Sequence, residues 1–245
     1  MQISGITCAI LEVLLYLIIS KAIRNKVSAF KQMNTLTYYW FCFTVLTGIW
    51  EIVYLVKYNY VVALSVNLLY TKKHVWTSKY SLLYILPWKL SEIFYAEYGA
   101  YADREYMSLE DSWSHFIEGS HCACCGLFCL IALLCVAFKG INSKHYSVAL
   151  GTAMGFQFMN SFLYMGEYWI QTQDINSVNY YNKPGFPLGK FGVDRPFMYV
   201  NIFWLIFPAM IICSHLDQKE SDIQSKKIKK IKSLEEDTLP LLLDY

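Results

Sequence analysis

Phe116-Ile117-Glu118-Gly119-Ser120-His121-Cys122-Ala123-Cys124-Cys125-Gly126-Leu127-Phe128-Cys129-Leu130-Ile131-Ala132-Leu133-Leu134-Cys135-Val136-Ala137-Phe138 runs without a lysine, arginine or aspartate. As an α-helix it would reach about 34 Å, enough to cross a hydrocarbon layer about 30 Å thick. Four more stretches approach that length: Ile3 to Ile19, Tyr38 to Val56, Ser147 to Ile170 and Phe197 to Ile212. The composition agrees, with 56% hydrophobic, 17% aromatic and 16% charged residues. Such a chain has too few charges for an ordinary soluble domain. The expected fold class is all-α, a polytopic membrane helix bundle of about five transmembrane helices.

Domain organisation follows from these spans. Residues 1–37 read as an N-terminal transmembrane helix with a cytosolic loop, residues 38–215 as a four-helix membrane domain, and residues 216–245 as a cytosolic tail, basic and then acidic. The first span lacks the basic n-region of a secretory signal and reads as an uncleaved helix. Lys21, Arg24, Lys26 and Lys31 follow the first span, Lys139 and Lys144 separate the third from the fourth, and six lysines from Lys219 to Lys232 follow the fifth. With five helices these segments share one side, the cytosol, and the N-terminus is lumenal. Lys226 to Lys232 reads as a solvated tail drawn to acidic lipid. A formal net charge of +2 argues against nucleic acid as a partner.

The segment from Lys57 to His115 is too long to be featureless. Its apolar patches, Val61 to Tyr70 and Tyr80 to Leu90, predict amphipathic pieces at the headgroup level. Pro184-Gly185-Phe186-Pro187 and Gly189 predict irregular backbone in the second lumenal loop. The eight cysteines lie mostly inside apolar spans, and no Asn-x-Ser/Thr sequon occurs, so reduced thiols are expected. Asp237, Leu241 and Leu242 have acidic dileucine spacing, which offers endo-lysosomal sorting as one fate and a disordered acidic end as the other.

Carboxylates inside spans are costly and mark a cavity or a partner. Glu12 and Glu167 read as structural or interfacial groups. Glu51 and Glu118 fall in the lumenal halves of the second and third helices, where one pocket could hold both. Thr47 and Glu51 are four apart, and Glu118 and His121 three apart, so each pair shares a helix face. Gln157, Asn160 and Tyr164 form a stripe on the fourth helix; Asn201 and Trp204 form one on the fifth. Together they supply an acid, a base and a hydroxyl. The competing reading is interhelical hydrogen bonding, the usual polar glue of membrane bundles. Glu118, His121, Cys122 and Cys125 are also zinc-type ligands, but a structural zinc motif draws on a loop as well as a helix. Packing or palmitoylation is the other account of these cysteines, and neither metal nor cofactor is expected.

These motifs resemble the emopamil-binding protein family of EXPERA-domain membrane proteins, which includes the sterol Delta8-Delta7 isomerase. Asn201-Ile202-Phe203-Trp204-Leu205-Ile206-Phe207-Pro208 matches its Asn-x-x-Trp-x-x-x-Pro pattern, and Asp111-Ser112-Trp113 leading to Glu118 resembles its Asp-x-aromatic run. Glu97-Tyr98 with Asp103-Arg104-Glu105-Tyr106 resembles a Glu-Tyr, Asp-x-x-Tyr element with about one residue inserted. Gln157, Leu163-Tyr164 and Trp50-Glu51 fit the fourth and second helices, and coverage runs from about Tyr38 to His215.

The resemblance implies movement of a sterol B-ring double bond through a carbocation. By carry-over Glu51 and Glu118 would transfer protons, Trp204 would stabilise the cation, Asn201 would position the substrate, and Tyr106, Gln157 and Tyr164 would help to wall the pocket. The implied surroundings are the endoplasmic reticulum membrane, with a sterol or other lipophilic ligand, membrane lipids and a second copy of the chain as candidate partners. One departure is that Thr47 stands where the family's second helix has a histidine, while His121 stands where its third has a threonine. Either imidazole and hydroxyl have exchanged helices, or acid catalysis is lost and the chain binds a sterol or cationic amphiphile without converting it.

Overall fold

Apolar runs of this length become helices because each backbone N–H and C=O must find a partner within its own segment. The computed structural model describes residues 1–102, 112–177, 180 and 197–238. Helix α1 (Gly5–Lys26) starts where the Ser4 hydroxyl accepts from Thr7 N–H, and α2 (Ser28–Lys31) is a single turn. Asn34 caps α3 (Thr35–Val56) by accepting from Leu36 N–H at 2.8 Å. Then come α4 (Tyr58–Thr71), α5 (Pro87–Tyr101, opened by its proline), α6 (Ser112–Lys139), α7 (Lys144–Gln171) and α8 (Phe197–Thr238). Gly140, at φ +79°, makes the turn between α6 and α7. The molecule is mostly helical, and four helices (α1, α3, α6 and α8) are long and apolar enough to cross a membrane. Apolar side chains such as Ile18, Phe138 and Val148 stand exposed on them and on α7, a surface suited to lipid rather than water.

Helix α7 has the length of a span, 28 residues, but is not among those four. Thr152, Gln157, Asn160, Ser161 and Glu167 lower its apolar character, and three of these five line an internal cavity.

The closest packing joins α3 to α6. A Cβ built on Gly48 would lie 3.0 Å from Gly126 Cα, and one on Gly126 would lie 2.9 Å from Gly48 Cα, so the two backbones touch. Near the other end of the contact, a Cβ on Gly119 would meet Leu55 at 2.7 Å. The C-terminal end of α3 therefore lies beside the N-terminal end of α6, which puts residues 51 and 118 at the same end of the bundle, as the sequence predicts. Helix α7 packs on α6, and α8 on α7. One apolar core runs through α3, α6, α7 and α8, around Phe41, Cys129, Tyr146 and Met154.

A second core gathers α1, the C-terminal half of α3, α4 and α5, around Leu46, Tyr54, Val61 and Leu90. It adds to the reading of residues 57–115 a helix, α5, that buries Leu90, Ile93, Tyr95, Ala96, Glu97 and Ala100. The all-helical expectation also needs one addition. Gln2–Ser4 (β1) pairs antiparallel with Lys79–Ser81 (β2), tying the N-terminus to the α4–α5 connection. At the other end, α8 continues as helix to Thr238, so the basic segment extends the last helix instead of leaving it. The acidic dileucine residues Leu241 and Leu242 and the loop Pro184 to Gly189 lie outside the described residues.

The glycine contact gives a direct test. Gly126→Val should lower the thermal unfolding temperature in detergent, with a cost of about 1–3 kcal/mol or more for overpacking. Gly151→Ala, where a Cβ meets nothing within 4 Å, should leave it unchanged. Equal melting of the two variants would sink the backbone-contact account.

Candidate functional site

Helices α3, α6, α7 and α8 enclose a small cavity lined by Thr44, Thr47, Cys122, Cys125, Gln157, Asn160, Ser161 and Trp204. Thr47, Gln157 and Trp204 were expected in a site from sequence, and they arrive from three different helices. The cavity holds about 10 Å³, room for about one water molecule. Its polar lining is tightly tied. Trp40 Nε1 donates to Gln157 Oε1 at 2.7 Å, and Gln157 Nε2 donates to Thr44 Oγ1 at 3.4 Å. Thr44 in turn donates to the Trp40 carbonyl at 2.9 Å, and Thr47 to the Thr44 carbonyl at 3.1 Å. These bonds satisfy polar groups that burial would otherwise penalise.

Trp204 meets Trp40 edge to face, with ring centroids 5.3 Å apart, and packs beside Phe43 at 5.7 Å. Pro208 lies four residues on and has no N–H, so α8 cannot supply the usual bond to the Trp204 carbonyl. The Asn-x-x-Trp-x-x-x-Pro pattern thus leaves a backbone acceptor within the helix that carries the cavity tryptophan.

One helical turn from the cavity, towards the C-terminal ends of α3 and α7, lie Glu51 and Tyr164. Glu51 is buried and accepts from the Tyr95 hydroxyl of α5; the Tyr164 hydroxyl pairs with that of Tyr98, also on α5. Asn201 is one turn before the level of Trp204 and is partly buried. Position 118 is one turn before Cys122 on α6; for Glu118 the described part is the backbone alone. Positions 51, 118, 164 and 201 therefore come from four helices to one level, next to the end of the bundle that α5 crosses. Tyr106 lies outside the described residues.

His121 is placed differently. Its ring lies over Phe156, centroids 5.5 Å apart, and Nε2 donates to the Phe156 carbonyl of α7 at 2.9 Å. It is not among the cavity lining, so this arrangement gives the imidazole a helix-bridging role. Among the described residues no three His, Cys, Asp or Glu side chains gather as a metal site, and Cys122 and Cys125 face the cavity as thiols.

Sequence reading missed the contribution of α5. Tyr95 and Tyr98 sit three apart on a helix whose apolar positions 90, 93, 96 and 100 already follow helical spacing, and that pattern was the available signal. It also left the Glu12 pairing unassigned. Glu12, 3% exposed, accepts from Trp50 Nε1 at 3.0 Å through one oxygen, and its other oxygen has no partner among the described residues. Glu97 binds His74 Nδ1 at 2.6 Å and accepts from Val75 N–H at 2.9 Å, which anchors the α4–α5 connection.

No family model matches the chain, and neither a curated protein nor a solved structure matches it.

Gln157→Leu should remove the acceptor of Trp40 and the donor to Thr44 together, destabilising the fold by about 1–3 kcal/mol for the buried group left unpaired. Thermal unfolding with tryptophan fluorescence reads both the stability and the Trp40 environment. A variant as stable as the parent would mean that these bonds are not what closes the cavity.

Proposed function

We propose that this chain spans the membrane five times, with α7 crossing as well as α1, α3, α6 and α8, and acts on a sterol as a Delta8-Delta7 isomerase-like enzyme. One observation carries the reading. Four helices bring Glu51, position 118, Tyr164 and Asn201 to one level beside a cavity faced by Trp204, the set that the emopamil-binding resemblance selects from sequence. The reaction adds a proton to one alkene carbon and removes one from another, so it needs an acid and a base across a dry pocket. Glu51 and Glu118 are the proposed proton-transfer pair, and the Trp204 ring faces the carbocation. Tyr95, by donating to Glu51, positions that carboxyl and shares its proton. A sterol-sized ligand needs a cavity of about 300 Å³ or more, so binding opens the helices around Trp204.

A second reading has its own observation. Thr47 donates to the Thr44 carbonyl and His121 to the Phe156 carbonyl, so no imidazole faces the cavity. On this reading the same pocket holds a sterol or cationic amphiphile without turnover. In both readings the ligand comes from the bilayer; the location proposed with them is the endoplasmic reticulum membrane that the resemblance implies, with the Lys-rich segments in the cytosol.

The chain should be expressed in cells lacking their own sterol isomerase, with Delta8 to Delta7 conversion followed by mass spectrometry. The isomerase reading expects conversion that falls at least about a hundredfold in Glu118→Gln and in Glu51→Gln, the scale of lost general acid–base catalysis. No conversion by a folded, inserted chain, with amphiphile binding that Glu118→Gln weakens, would establish the binder instead. No conversion and no binding would overturn both.

A further inference from the structure

Where α3 gives way to α4, Lys57 is at once the C-cap of one helix and the N-cap of the next. This elbow opens into a cleft of about 780 Å³, separate from the cavity that Trp204 lines. Its size falls within the range of small-ligand sites, about 300–1,000 Å³. Helices α5 and α6 complete it with Lys89, Glu92 and His115.

Among the described residues that line the cleft the charges do not cancel. The Glu92 side chain is only 2% exposed and takes both Lys57 and Lys89, the latter at 3.1 Å. Two ammonium groups against one carboxylate leave one positive charge in excess. The Lys57 and Lys89 side chains remain 42% and 35% exposed, with N–H donors to spare. The start of α4 adds to this, with Tyr58, Asn59 and Tyr60 of its first turn lining the cleft. On the α6 side the His115 ring stacks on Tyr58, centroids 3.5 Å apart at 19°. Its Nε2 is buried without a hydrogen-bond partner among the described residues. Burial pushes this imidazole down.

Apolar side chains share the lining with these charges. Leu55, Val56 and Tyr60 are among them, and Val56 and Tyr60 are 79% and 52% exposed. Val56 is the last residue of a membrane-length helix, which puts the cleft at the depth where head groups meet acyl chains. Cationic groups that share a cleft with exposed apolar side chains are complementary to a ligand with an anionic head and a hydrocarbon tail.

We propose that this cleft binds the phosphate head of an anionic lipid, held by Lys57, Lys89 and the start of α4, with its acyl chain along Leu55, Val56 and Tyr60. The site is independent of the sterol reading, and its readout is binding rather than turnover.

The full chain in neutral detergent should be titrated by native mass spectrometry with dioleoyl phosphatidic acid, dioleoyl phosphatidylcholine and inorganic phosphate. Phosphatidic acid should bind at least about tenfold more tightly than phosphatidylcholine, and inorganic phosphate should not displace it at equal concentration. The triple variant Lys57→Gln/Lys89→Gln/Glu92→Gln removes the excess charge without stranding a buried one, and should bring phosphatidic acid to the phosphatidylcholine level. The lysines of the α8 extension are common to both proteins and so drop out of that comparison. Glu92→Gln alone releases both ammonium groups and should tighten phosphatidic acid binding several-fold. That single variant decides the matter if the triple variant does not fold. Equal affinity for the two lipids, a triple variant that binds as the parent does, or Glu92→Gln binding that is unchanged or weaker would each overturn the site. Displacement by equimolar phosphate would overturn the lipid assignment.

Discussion

The contact between Gly48 on α3 and Gly126 on α6 sets the rest of the bundle. Lipid offers no hydrophobic force to push helices together, so close association there rests on packing and hydrogen bonds. Two glycines facing each other let the backbones touch, and a Cβ on either would lie within about 3.0 Å of the other's Cα. Once that crossing is made, register follows. Leu55 comes beside Gly119, Thr44 and Thr47 come beside Cys122 and Cys125, and residue 51 comes level with residue 118. The same closeness keeps the cavity near the crossing small, because side chains such as threonine and cysteine occupy little of the space between the helices.

Around that crossing, polar groups serve the fold before they serve chemistry. Trp40, Gln157 and Thr44 form a chain of donors and acceptors joining α3 to α7, and His121 adds a bond from α6 to α7. Glu51 and Tyr164 reach outward to Tyr95 and Tyr98, so α5 ties the ends of α3 and α7 through two phenol contacts. A buried carboxyl bound to a phenol is equally a structural strut and a proton-relay pair. What separates the roles is whether a ligand can displace the packing around it.

Much of the fold was legible because the apolar runs had to become helices. Tyr38 to Val56 and Phe116 to Phe138 lie within α3 (Thr35–Val56) and α6 (Ser112–Lys139), which begin about one turn earlier. Helix α5 was harder to read. Its buried face carries Glu92 and Glu97, and those charges make sense only once Lys57 and His74, both distant in sequence, are brought to them beside Lys89. The pairing of Gln2–Ser4 with Lys79–Ser81 was hidden for a similar reason, since three-residue strands carry almost no period. At the site, Thr47, Gln157 and Trp204 were legible as stripes on their helices. The direction of His121 was not: helical spacing places it near Glu118, but a rotation of about 100° per residue turns it from the Cys122 face towards α7.

The walls of the cavity differ in how easily they could yield. Helix α6 is held to α3 by backbone contact, and α7 by the Gln157 bonds, so moving either would break interactions that burial makes expensive. Helix α8 is held differently. It packs mainly on α7, meets α3 at few points, and buries the smallest share of its membrane window among the four apolar helices. Its cavity contact is Trp204 against the rings of Trp40 and Phe43, a dispersion surface that an apolar ligand replaces in kind. Pro208 adds a missing hydrogen bond at the Trp204 carbonyl, so this stretch of α8 is already less tightly wound to itself than its neighbours. The helix that supplies Trp204 is thus also the wall with the least to lose by moving, and a ligand wedged beside that ring would spread α8 before it disturbed the glycine crossing.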